Sequence, residues 1–154
     1  MTRLAQIALL LAMVILGSTA VAQLQTFERG ELTIDGASGK HRFDIELAVS
    51  AEQRAQGLMF RERLPADAGM LFVYAEDQTI TMWTKNTLIP LDMIFIARDG
   101  RIVRIAERTV PGSLATVGSG EQARAVLEVN GGTAAHLGIQ PGDRVIHPAF
   151  SPSE

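Results

Sequence analysis

From position 83 to position 92 the chain reads Trp-Thr-Lys-Asn-Thr-Leu-Ile-Pro-Leu-Asp. The chain's sole tryptophan, Trp83, thus stands close to a cation, Lys85, an amide, Asn86, and a carboxylate, Asp92. A few convergent polar groups on an apolar wall are what a small-ligand pocket needs. If a strand persists through this stretch, alternation sets Trp83 and Lys85 on one face, with Asn86 at its end. Three more side chains belong to the candidate set: Arg54, Arg61 and Glu128. Brought together by the fold, they would pair with Asp92 or clamp an anionic ligand through bidentate guanidinium contacts.

Each of these residues also has a purely structural reading. Asn86 and Thr87 suit a turn whose side chains hydrogen-bond local backbone, and Pro90 fixes the exit of the chain. Asp92 can cap or pair with Lys85. Trp83 can be the largest core residue with its ring N–H on a backbone carbonyl. Arg54, Arg61 and Glu128 can form a structural ion-pair set, since buried charges need partners.

Other chemistries have less support. His41, His136 and His147 are far apart and show no metal-ligand spacing, so no metal site and no cofactor is expected. There is no Gly-x-Ser-x-Gly elbow, and Ser113 and Ser119 fall in a Gly/Ser-rich stretch expected to be a solvated loop. Asn130-Gly131-Gly132 lacks a Walker lysine. Two-carboxylate hydrolysis by Asp92 with Glu128 depends on a separation that sequence does not fix. The turn Gly138-Ile139-Gln140-Pro141-Gly142-Asp143 is similar to one in PDZ domains, but the expected strand order is not.

The elements that must position these residues are mostly strands. Residues 25–34 and 40–49 form a pair joined by a turn over Gly36–Gly39, with Phe43, Ile45, Leu47 and Val49 at period 2. Ser50 as N-cap and Gln53 as its reciprocal partner predict a short helix from Ala51 to Gln56, ended by Gly57. Strands follow over 70–74, 79–84 and 91–97. A hairpin at Arg98-Asp99-Gly100 leads into 101–107. Residues 111–121 are expected as a loop, 124–129 as a strand, 133–137 as one helical turn and 144–147 as a last strand. The fold class is therefore mainly β: a compact antiparallel β-sandwich or barrel-like single domain with one or two short helices.

At the N-terminus, Arg3 precedes an apolar run from Leu4 to Leu16, and Ala20-Val21-Ala22 supplies small residues at −3 and −1. This predicts a signal peptide over 1–22 with cleavage before Gln23. The run is shorter than the roughly 20 apolar residues of a membrane-spanning helix, so no stable membrane anchor remains after cleavage. The expected destination is the periplasm or the exterior. Removal of these 22 residues and of Arg3, their only charge, from 154 residues of net charge −3 leaves 132 residues at −4. That acidic balance without a basic stripe argues against nucleic acid as a partner. The chain has no cysteine, which excludes disulfides, a thiol nucleophile and lipid attachment at the cleavage site. The domain is expected over 23–150, with 151–154 a frayed tail.

Four segments resemble the domain of unknown function 192 family of bacteria and archaea. Arg54-Ala55-Gln56-Gly57-Leu58-Met59-Phe60-Arg61, followed by Leu64 and Gly69-Met70-Leu71-Phe72, is similar to its opening. Met82-Trp83-Thr84-Lys85-Asn86-Thr87-Leu88-Ile89-Pro90-Leu91-Asp92 is the most specific match. Val126-Leu127-Glu128-Val129-Asn130-Gly131 and Leu137-Gly138-Ile139-Gln140-Pro141-Gly142-Asp143 close it. Thr84 departs from the methionine of the family signature, removing a large apolar side chain beside Trp83. The resemblance implies a β-rich, often exported fold and no established activity.

Three functions stay open at this point. The first is an exported domain binding a small-molecule ligand near Trp83, Lys85, Asn86 and Asp92. The second is a hydrolase or transferase with Asp92 or Glu128 as general base, favoured by a buried carboxyl of raised pKa in a cleft. The third is a structural or peptide-docking module working through an open sheet edge.

Overall fold

The apolar alternation of the first two strands builds a hairpin. β1 (Glu28–Gly36) pairs antiparallel with β2 (Gly39–Ala48), closing through Gly36 opposite Gly39. Leu32 and Ile34 of β1 and Phe43 and Ile45 of β2 are buried on its inner face. The computed structural model describes residues 23–150. The expected signal peptide and frayed tail lie outside these residues.

After β2 the chain enters α1 (Ala51–Gln56) through the expected capping box. Ser50 Oγ accepts the Gln53 N–H at 3.1 Å, and Gln53 Oε1 accepts the Ser50 N–H at 3.0 Å. Gly57 ends the helix at φ 48°, ψ −135°, a positive-φ conformation different from the left-handed cap that the sequence suggests. A Cβ there would stand 3.0 Å from the Phe72 ring. Helix and following loop act as a crossover, because the next strand, β3 (Ala68–Met82), lies parallel to β2. Parallel neighbours require such a connection, whereas a short hairpin turn would have made them antiparallel.

The remaining strands are β4 (Leu91–Ile96), β5 (Ile102–Ala106), β6 (Val117–Asn130) and β7 (Arg144–Ile146), with α2 (Thr133–Leu137) before β7. All seven strands among the described residues belong to one sheet, in the order β5-β4-β6-β3-β2-β1-β7. The mainly β class with two short helices is as expected. The β2–β3 pair is the one parallel pair in a sheet that is otherwise antiparallel, and this mixed sheet curls into a half-barrel. Its two edges approach at an Arg101–Arg144 bridge, where Ile102 N–H donates to Asp143 O at 2.8 Å and Val145 N–H to Gly100 O at 2.7 Å. Gly100 is required there: at φ 89°, a Cβ would lie 2.4 Å from the Val145 carbonyl oxygen.

Two boundaries differ from the sequence reading. The strands expected over 70–74 and 79–84 are one strand, β3, whose pairing with β6 shifts between Val73 and Gln78 and again between Thr79 and Thr81. β6 begins at Val117, inside the expected loop. Ser119 is buried there and accepts the Ile80 N–H at 3.0 Å, so it is no solvated linker residue.

The sheet carries a core on each face. Ile34, Phe43, Leu71, Ile94, Leu127 and Val129 pack inside the curl. Met70, Phe72, Met93, Phe95 and Val126 pack outside it, beneath Leu58 from the loop after α1. β3, β4 and β6 therefore send alternate residues to two different apolar environments.

A pocket around Glu128

Strand parity decides which candidate residues can meet. In β6, Val126 and Glu128 face the outer core, while Leu127 and Val129 face the inner one. Glu128 is opposite Met70 of β3 and Met93 of β4, both fully buried. Asp92 is opposite Val129 and shares the inner side with Ile94. The two carboxyl groups therefore lie on opposite faces of the sheet. The paired-carboxylate arrangement suggested for Asp92 and Glu128 is excluded by this geometry.

Asp92 is completely buried and serves the backbone. Its Oδ1 accepts the Arg108 N–H at 2.8 Å and the Gly132 N–H at 2.9 Å, and its Oδ2 accepts the Ala134 N–H at 2.9 Å. Gly132 supplies no side-chain cap to α2, so Asp92 satisfies orphan donors of that helix from another strand. It also anchors the chain after β5. No ion pair with Lys85 forms here.

Glu128 has the opposite character. It is 4% exposed, and with no protein donor on its carboxyl among the described residues, its oxygens keep their access to the cavity. Its carboxyl opens on a cavity of about 260 Å³ beneath α1, bounded by Met59, Tyr74, Met82 and Trp83. Burial pushes this carboxyl up to about 8, because its apolar surroundings disfavour the charged form. At neutral pH it is an acid with a proton to donate.

Arg54 and Lys85 line the same cavity. The Arg54 Nη1 donates to the carbonyls of Val49 and Val73, which fixes the side chain in place. Its guanidinium lies 4.7 Å from the centroid of the Tyr74 ring. Burial raises the pKa of Tyr74, with Arg54 acting against that rise and Glu128 adding to it. Lys85 Nζ lies 5.2 Å from the Trp83 ring centroid. Trp83 is 47% exposed, so it is a wall of the cavity and not the largest core residue. β3 stops at Met82, so strand alternation does not extend to Lys85, yet both side chains reach the cavity.

Asn86 and Arg61 stand apart from it. Asn86 is exposed at φ 54°, and its carbonyl accepts the N–H of Phe60, itself at φ 63°, at 2.8 Å. This bond latches the loop after α1 to the turn after Trp83, and Asn86 Nδ2 rests 3.9 Å from Met59 Sδ. Two non-glycine residues in the left-handed region at one rim are a local strain that the surrounding contacts must hold. Arg61 pairs with Glu46 and lies 5.9 Å from the Phe27 ring centroid. It borders a second hollow of about 510 Å³ beside β1 and β2. Glu31, Asp44 and Glu46 at that hollow are already salt-bridged to arginines. Arg54 and Arg61 thus form no common clamp.

Thr84 resolves the departure noted in the sequence. It is buried, its hydroxyl donates to Val110 O, and its Oγ1 accepts the Ser113 N–H at 3.1 Å. A hydrogen-bonded staple to the 110–113 loop replaces apolar volume. Tyr74, Met59 and Met82 were absent from the sequence-based set. Tyr74 shares its strand parity with Phe72 and Met70, and the Met70–Glu128 register is what carries it to the site.

A family profile described as an uncharacterized ACR, DUF192, matches residues 32–147. Among solved structures, one from Sinorhizobium meliloti, described only provisionally as a transcription regulator, is 43% identical with a TM-score of 0.80. The match covers 83% of this chain and all of that one. A protein of unknown function from Novosphingobium aromaticivorans is 38% identical with a TM-score of 0.76, over 85% of this chain and 99% of the other. No curated protein matches the chain.

Proposed function

The chain belongs to the DUF192 family, and on that premise we propose that it is an exported domain that binds a small molecule in the pocket around Glu128. The observation that carries this reading is the Glu128 carboxyl: nearly buried, without a hydrogen-bond donor or acceptor among the described residues, and opening on a cavity. A carboxyl in apolar surroundings whose oxygens reach only the cavity is placed to bond a ligand atom there. Aromatic and thioether walls beside convergent polar groups such as Arg54, Lys85 and Glu128 are the make-up of such sites. Export is proposed from residues 1–22, and the periplasm is the proposed compartment. The acidic balance of the chain speaks against nucleic acid as a partner.

A second reading draws on the same residue. A carboxyl near 8 in a cleft suits a general acid, so a hydrolase or transferase is the alternative. Binding is preferred because Asp92 lies on the other face of the sheet, leaving Glu128 without a second carboxylate to share the work.

The test is a thermal-shift screen of residues 23–154 against organic acids, sugars, nucleotides, amino acids and peptides. A ligand at one hundred times its Kd should stabilise the domain by about 2.7 kcal/mol. The stabilisation should vanish in Trp83→Ala and Glu128→Ala. A hit that binds both variants as tightly as the parent would refute the site.

A further inference from the structure

The charges that line the Glu128 pocket are unlike those of the rest of the chain. Arg54, Lys85 and Glu128 are its charged or acidic side chains, joined by the weakly acidic Tyr74. With Glu128 protonated the lining carries two positive charges, and with Glu128 ionised it still carries one. The whole chain is at −3. Neither Arg54 nor Lys85 forms a salt bridge with a described carboxylate, although four other arginines do. Arg54 spends Nη1 on two carbonyls, while Nε and Nη2 have no described acceptor. A positive pocket in an acidic protein, with donors left over, selects for negative charge.

The aromatic faces support the same conclusion. Trp83 and Tyr74 would otherwise suit an organic cation, which ring faces attract. Each already has a cation of the protein against it, Lys85 and Arg54 respectively. A cationic guest would face two like charges. We propose that the ligand is a small organic oxyanion, a carboxylate or phosphate on a short apolar body, with its head toward Arg54 and Lys85. Its body rests against Met59, Met82 and Trp83. The volume of about 260 Å³ limits it to a small molecule. This inference rests on the small-ligand reading above and adds the chemical class.

Trp83 is the chain's only tryptophan, so its fluorescence reports the site without a label. Titrations with hexanoate, hexyl phosphate, 1-hexanol and hexylammonium vary the head on one body. At least one oxyanion should bind about ten-fold or more tightly than hexanol, and hexylammonium should give no saturable change. The better of hexanoate and hexyl phosphate identifies the head. Lys85 is exposed, and Lys85→Glu should weaken oxyanion binding by about ten-fold or more with the fold intact. Equal or tighter binding of hexanol or hexylammonium overturns the oxyanion assignment while leaving the pocket in place. No saturable change with any of the four overturns the pocket reading itself, and the oxyanion assignment with it.

Discussion

Asp92 and Glu128 show how little a residue's type says about its role. Both are buried acids near the ends of strands, Asp92 at the start of β4 and Glu128 at the end of β6, and their environments differ in hydrogen bonding. Asp92 is satisfied three times by backbone N–H groups from two separate segments. Replacing it by alanine strands those donors, and each buried unsatisfied group costs about 1–3 kcal/mol. Asp92→Ala should therefore lower stability by roughly 3 kcal/mol or more in urea unfolding, while Trp83 fluorescence titrations with a bound ligand retain their affinity. A loss of affinity with unchanged stability would move Asp92 back into the site. Glu128, by contrast, has only the cavity to turn to.

At the level of elements, much of the fold was legible and the site only in part. The β1–β2 alternation, the Ser50–Gln53 capping box and the Asp99-Gly100 turn are local signals, and the structure follows them. The parallel β2–β3 pair was not legible, because the crossover through α1 is a choice of neighbour made over long range. The same limit hid the site. Period-2 parity says that Val126 and Glu128 share a face, but not that this face lies opposite Met70 and beneath α1. Without that register, Tyr74 could not be found and Asp92 could not be excluded. The Trp83–Lys85 pairing was anticipated, although by a strand that ends at Met82. The start of β6 was missed because Gly118, Ser119 and Gly120 carry turn-like chemistry in a strand.

The whole molecule is a sheet curled so that its outer face can hold a helix and a pocket while its inner face holds a closed core. Its stability is linked to the site through Glu128. The native state holds the Glu128 proton up to about 8, whereas the unfolded chain releases it near 4.5. Between those values the folded state binds more protons, so stability falls as pH rises and has been lost from this source above about 8. At about 1.4 kcal/mol per pH unit the fall approaches roughly 5 kcal/mol. Urea unfolding at pH 5 and pH 8 should show the larger part of this decline, roughly 3–4 kcal/mol, and Glu128→Gln, which has no proton to lose, should remove most of it. An equal decline in both proteins would place the cause elsewhere. The central claim, that Glu128 is an unpartnered acid within a ligand pocket, is tested most directly by carbon-13 NMR titration of its carboxyl carbon, assigned with Glu128→Gln. A midpoint near 8 is the predicted result. A midpoint near the ordinary 4.5 would contradict the claim, because it would mean that the carboxyl is solvated or already paired.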